Sequence, residues 1–179
     1  MPLIRTISPE TATGEIAELY KHIIALRGRV PNSSQIWSIS PELYKQQLNF
    51  IDYYMTHKTL SAPLLACVRL LVSSNTNCQY CIDFNTALLV NLMGWQMDDV
   101  AHLKQTQQSP KLSEKENKML TFVLKSVKNC KKADVADLNA LRALGWDDAD
   151  ILDAVQHGAR MSAIDVILNT FDVELDTVL

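Results

Sequence analysis

The segment from Pro63 to about Ser74 constrains this chain more than any other. Leu64, Leu65, Cys67, Val68, Leu70, Leu71 and Val72 make it apolar nearly all the way round. A helix without a polar face must be enclosed on every side, so the pattern predicts a central buried helix wrapped by others. The flanking segments read as its amphipathic partners. Thr11-Ala12-Thr13-Gly14 opens a segment to about Arg27 in which Ile16, Leu19, Tyr20, Ile23, Ile24 and Ala25 recur at helical spacing, and Gly28 ends the run. Val30 to Ser34 reads as a turn. Ser40 before Pro41 then marks a helix start, with the pattern held to about Thr56. Five glycines and six prolines in 179 residues leave too little punctuation for closely spaced strands. The expectation is an all-α fold forming one domain over residues 1–179, a length that can bury a single sizeable core.

Downstream, Cys78 begins a helix expected to run to Gly94, and Met97 begins another that ends near Gln107-Gln108-Ser109-Pro110. Ser113 with Glu116 three residues later reads as a capping box heading a helix to about Lys128. From Asp134 to Phe171 the pattern suggests two or three helices joined around Gly145 and Gly158. Leu92-Met93-Gly94-Trp95 before Met97-Asp98-Asp99 is echoed by Leu144-Gly145-Trp146 before Asp147-Asp148. The echo is either a repeat or two uses of one good turn, since acidic residues complement the dipole at a helix start.

Composition narrows the partners. Seventeen basic against 20 acidic residues leave a formal charge of −3, with no basic footprint for a phosphate backbone, so no nucleic-acid partner is expected. The first residues lack the apolar core of a signal peptide, and no apolar run approaches the ~18 residues of a membrane span. A cytoplasmic protein without a membrane partner is the expectation.

In a reducing compartment four cysteines are free, metal-bound or catalytic rather than a disulfide framework. Cys67 and Cys130 stand alone in amphipathic segments and read as small buried thiols. Cys78 and Cys81 differ, because two thiols three positions apart on the first turn of a helix can form a disulfide. Unpaired amides at that end favour a thiolate. The spacing suits redox exchange; an inert packed pair is the competing reading. A closed zinc site takes four ligands and no second Cys-x-x-Cys or His-x-x-x-His follows, so neither a metal nor another cofactor is expected.

The stretch Leu60-Ser61-Ala62-Pro63 through Val68-Arg69-Leu70 to Asn77-Cys78-Gln79-Tyr80-Cys81-Ile82-Asp83-Phe84-Asn85 resembles the signature of the alkyl hydroperoxidase D-like, carboxymuconolactone decarboxylase superfamily. Leu112 to Glu116 and Leu144-Gly145-Trp146-Asp147-Asp148 with Ile151 to Val155 resemble its peroxidase-related branch. The resemblance implies an all-helical fold, assembly as a homo-oligomer (trimer or hexamer), and reduction of a hydroperoxide or disulfide substrate by the dithiol. A lipoylated or thioredoxin-like protein would recharge it. It also implies that Cys81 attacks and Cys78 resolves, whereas position at the helix end alone favours Cys78 as the nucleophile.

Two positions depart from the family pattern. Its relay places a glutamate twelve residues before the first cysteine and a histidine four after the second; here these positions are Ala66 and Asn85, neither of which titrates. Asn85 lies one turn beyond Cys81, where its amide could donate to the sulfur. Tyr80 could offer a hydroxyl to substrate. A replacement relay could come from elsewhere, with His57, Glu42 or His102 as candidates. His57 otherwise reads as a helix-end histidine, and His22, His102 and His157 as solvated or hydrogen-bonded side chains. Trp37, Tyr44, Tyr53, Tyr54 and Phe84 are core aromatics or the lining of a pocket near the thiols. The function expected is a thiol-dependent antioxidant oxidoreductase. The alternatives are a diverged oligomeric scaffold or small-molecule binder of the same superfamily and, less favoured, the lactone chemistry of its other branch, which uses no cysteine pair.

Overall fold

A computed structural model describes residues 2–176. Helices account for all the regular structure among them, in the order α1 (Gly14–Arg27), α2 (Asn32–Gln35), a 3₁₀ turn (Ile36–Ile39), α3 (Pro41–Met55), α4 (Ala62–Thr76), α5 (Gln79–Ala87), a π-helical turn (Leu88–Leu92), α6 (Met97–Thr106), α7 (Glu114–Lys128), a 3₁₀ turn (Cys130–Lys132), α8 (Val135–Ala143) and α9 (Asp148–Thr170). The chain divides into two compact units, one formed by residues up to His57 together with those from Ile167 on, the other by Lys58–Val166.

In the first unit α1 packs on α3 through Ile16, Tyr20 and Ile23 against Tyr44 and Leu48, all buried. The Tyr20 and Tyr44 rings meet edge to face at 5.9 Å, and the Tyr20 hydroxyl donates to the Ile7 carbonyl at 2.5 Å. Gly28 adopts a left-handed conformation (φ 76°) and its N–H closes α1 on the Ile24 carbonyl. The segment read as a turn at 30–34 winds into α2 and the following 3₁₀ turn. There Ser38 accepts from the Ile7 N–H at 2.8 Å and Asp176 from the Asn32 N–H at 2.9 Å.

The second unit is organised by α4, as its all-round apolar sequence requires. Leu64 to Val68 and Leu70 to Ser73 are all buried, against α5, α6 and α7. Each Leu or Val enclosed this way contributes about 1.5–3 kcal/mol relative to exposure, so α4 anchors the unit. Capping boxes start α6 at Gln96, α7 at Ser113 and α8 at Asp134, each with an acidic third residue bonding back. The two Gly-Trp turns share one form: Gly94 and Gly145 are left-handed at φ 69° and 81°, and Trp95 and Trp146 are both buried.

Three sequence expectations are corrected. Gly158 is not a joint, because α9 runs unbroken for 23 residues and Gly158 lies in its interior. There a Cβ would fall 2.6 Å from Val123 and 3.0 Å from Val127, so the glycine permits α9 to approach α7 closely. The helix begun at Cys78 does not continue as α-helix to Gly94; it loosens into the π-helical turn at Leu88. Cys130 is exposed and lines a surface cavity of about 410 Å³ with Phe122, Val135 and Leu138. No helix among the described residues is long and apolar enough to cross a membrane.

Candidate functional site

The site forms where α4 ends and α5 begins. Asn77 takes the left-handed conformation (φ 54°), which asparagine tolerates better than most residues, and its N–H closes α4 on the Ser73 carbonyl. The Cys78 N–H bonds the same carbonyl at 3.1 Å. That tight turn makes Cys78 the N-cap of α5 and places Cys81 one turn on, where the two Sγ atoms approach to 2.8 Å. Both thiols are buried.

Helix-end amides do not decide the proton balance. The hydrogen bond shared with Cys78, burial, and the charge of Asp165, in that order, hold the Cys81 thiol protonated well above the usual thiol range. The expectation that the helix start favours a thiolate is therefore corrected for Cys81. A partial dipole charge near a buried sulfur is outweighed by desolvation and a full negative charge beside it.

Asp165 escaped the sequence reading. It projects from α9 fully buried, and one of its carboxylate oxygens and the two sulfurs all lie within 4.8 Å of one another. Its Oδ1 accepts from Ser73 Oγ at 2.8 Å and its Oδ2 from Thr76 Oγ1 at 2.7 Å. These three donors are one short of a closed zinc site, and among the described residues no fourth His, Cys, Asp or Glu joins them. A signal was present in the sequence. Asp165 sits between Ile164 and Val166, four residues after Met161, and His157, Met161 and Asp165 form one buried stripe. An acidic residue on the apolar face of a helix is the informative exception.

Asn85 is buried beside the pair, but its amide is engaged elsewhere. Nδ2 donates to the Cys81 carbonyl at 2.8 Å and Oδ1 accepts from Arg69 Nε at 2.7 Å, so its described bonds bypass the sulfurs. Arg69 also meets His157 Nε2 at 3.1 Å; His157 is 2% exposed, so of the two readings, solvated or hydrogen-bonded, the structure shows the second. Ala66 is wholly buried in α4. Tyr80 is buried and its ring stacks on Phe84 at 6.4 Å. The remaining candidates lie elsewhere: His57 stacks on Tyr54 at 6.0 Å, Glu42 pairs with Lys45, and His102 is exposed on α6. Trp37, Tyr44 and Tyr54 are buried in the first unit, whereas Tyr53 is exposed.

An all-helical protein with an enclosed dithiol at a helix start is thus defined, and its architecture is shared. By sequence the chain matches no family model and no curated protein. By structure it is similar to an uncharacterized peroxidase-related protein with an alkylhydroperoxidase AhpD core from Ralstonia eutropha. The TM-score is 0.85 at 18% identity, covering 98% of this chain and 93% of that one. A peroxidase-related protein from Silicibacter matches at 0.74 and 18%, covering 98% and 90%. The debrominase Bmp8 matches at 0.76 and 15%, covering 98% and 92%. A cysteine-to-alanine variant of Bmp8, in complex with 2,3,4-tribromopyrrole, matches at 0.76 and 13%, covering 99% and 95%. The chain has the alkylhydroperoxidase AhpD-like fold.

Proposed function

We propose that this protein is a dithiol oxidoreductase of antioxidant type, reducing a hydroperoxide or a disulfide with Cys78 and Cys81. The observation that carries the reading is the 2.8 Å approach of two buried sulfurs at the start of α5. A disulfide needs its sulfurs about 2.05 Å apart, so oxidation asks for little movement. In the peroxide half-reaction the Cys81 sulfur attacks one peroxide oxygen; the O–O bond breaks, giving a Cys81 sulfenic acid and an alcohol. Cys78 then displaces the hydroxyl as water and the disulfide closes. The two electrons come from the dithiol, and a lipoylated or thioredoxin-like protein restores it by exchange. Cys81 is the attacking residue by resemblance to the superfamily.

The test is consumption of tert-butyl hydroperoxide under a dithiol reductant by wild type, Cys78→Ser and Cys81→Ser. Loss of turnover to background in both variants supports the reading; undiminished turnover in both overturns it. Because one structural neighbour is a debrominase, a bromopyrrole belongs in the same assay. A second reading, a binder without turnover, is favoured by Ala66 and Asn85 at the two relay positions and predicts no cysteine-dependent reaction with peroxide, disulfide or bromopyrrole. A homo-oligomer is also proposed. Exposed apolar side chains on the second unit, Val135, Leu152 and Val166 among them, support it, and sedimentation tests it.

A further inference from the structure

A buried carboxylate is costly unless it is paired or used. Enclosing one is strongly unfavourable, and a cation partner commonly offsets the cost. Asp165 is wholly buried, and among the described residues no Lys, Arg or His pairs with it; hydroxyls from Ser73 and Thr76 hold one oxygen each. Each oxygen keeps a second lone pair, and the two thiol sulfurs lie within 4.8 Å of one of them. No helix cap and no ion pair explains the residue. A dithiol reaction explains it, because each turnover must remove a proton from the attacking thiol and supply one to the leaving oxygen.

We propose that Asp165 is the proton acceptor of the cysteine pair, doing from α9 what the family's relay residues, here Ala66 and Asn85, cannot. The inference rests on the dithiol function proposed above. As the Cys81 S–O bond forms and the O–O bond breaks, the Cys81 proton passes to the Asp165 carboxylate and from there to the departing alkoxide, giving the alcohol. When the S–S bond forms, the Cys78 proton follows the same route to the departing hydroxide, giving water. The carboxylate is regenerated in both steps. The separation of at most 4.8 Å is one that a thiol rotation or a single water spans.

The arrangement has a signature. A neighbouring carboxylate keeps the resting thiol protonated, which slows simple alkylation, while serving as base in the reaction. Asp165→Asn therefore moves two readouts in opposite directions. Turnover of tert-butyl hydroperoxide falls by about 10²–10⁴-fold, the usual contribution of general base help, while labelling of Cys81 by iodoacetamide, mapped by mass, becomes faster. Exposed Cys130 in the same chain reports the reagent's own behaviour. Damage to the fold would also expose Cys81 and speed its labelling, so buried Cys67 is mapped in the same experiment: in a folded variant it stays unlabelled while Cys81 reacts faster, and joint labelling of both overturns the assignment of the effect to Asp165.

A measurement on wild type covers the case in which the variant does not fold. The groups facing Asp165 are the two thiols from α5 and the hydroxyls of Ser73 and Thr76 from α4. Arg69 on α4 and His157 and Arg160 on α9 lie a turn or more away along the chain from these groups, and Asp83 on α5 bonds Gln79. If Asp165 takes the proton, turnover persists on lowering the pH after Cys81 labelling has died away. One shared curve for turnover and labelling overturns the proposal, as does an Asp165→Asn variant with undiminished turnover. Absence of cysteine-dependent turnover in wild type instead overturns the function on which the proposal rests.

Discussion

The two ends of α4 are built from the same parts and put to different uses. At the N-terminal end, Ser61 caps the helix by accepting from the Leu64 N–H and donates to Glu116 of α7 at 2.5 Å. Glu116 also accepts from the Ser113 N–H at 2.9 Å, while Thr59 donates to Asp150 of α9, which accepts from the Asp147 N–H. Every carboxylate there closes a helix start. At the C-terminal end, Asp165 of α9 likewise accepts two hydroxyls, but it accepts no backbone N–H and faces two thiols. A buried acid that answers to backbone amides is holding structure, whereas one surrounded by hydroxyls and sulfur is placed for proton transfer.

The largest expected effect separates the ends by activity. Cys81→Ser abolishes turnover, and Asp165→Asn lowers it by about 10²–10⁴-fold, whereas Glu116→Gln leaves the rate constant of the folded protein unchanged. An equal loss in Glu116→Gln and Asp165→Asn, measured on folded protein, would dissolve the contrast.

Next comes the packing that sets where α9 lies. Gly158→Ala puts a methyl within 2.6 Å of Val123 on α7, and overpacking of this kind costs about 1–3 kcal/mol. Thermal unfolding should show a lower Tm; an unchanged Tm would mean that α9 can shift freely, and Asp165 with it.

Removing the cap in Ser61→Ala costs about 1 kcal/mol, or about 2–4 °C in Tm for a chain of this size, without touching turnover. The same end carries an acid sensitivity. Burial raises the Glu116 carboxyl, but hydrogen bonds from Ser61 and Ser113 outweigh it and hold it below the usual carboxylate range. A group lowered in the folded state contributes stability above its unfolded pKa, and that contribution is lost as pH falls through the folded value. Glu116→Gln should therefore flatten the acid limb of a Tm against pH series, and an unaltered limb would count against the bond pattern.

The smallest effect concerns Cys67, in the middle of α4. Burial pushes its thiol up to about 12, with Glu116 adding to the rise and Arg69 opposing it. Cys67→Ala should leave turnover unchanged, and peptide mapping should find Cys67 unlabelled at neutral pH while Cys130 reacts.

Much of this was legible along the chain. The apolar sweep of α4, the capping box at Ser113 and the glycine stop at Gly28 are local rules, each satisfied within a few residues, and the structure follows them. The cysteine pair was legible for the same reason, since three residues of helix bring i and i+3 together whatever the rest does. Gly158 misled because an interior glycine reads as a break until a neighbouring helix is known to need its missing Cβ. His157 reads along the chain as either solvated or hydrogen-bonded because nothing near it in sequence says that Arg69 will meet it.

What the sequence determined by itself is an all-helical chain with a dithiol at a helix start, because periodicity, caps and i to i+3 spacing are properties of a single segment. What only the tertiary structure decided is the company those thiols keep. Asp165 is 84 residues beyond Cys81, and only the packing of α9 brings its carboxylate to within 4.8 Å of both sulfurs. The proton affinity of a buried thiol depends on charge and desolvation at that range, so the chemistry of the pair was written in a contact that no local pattern contains.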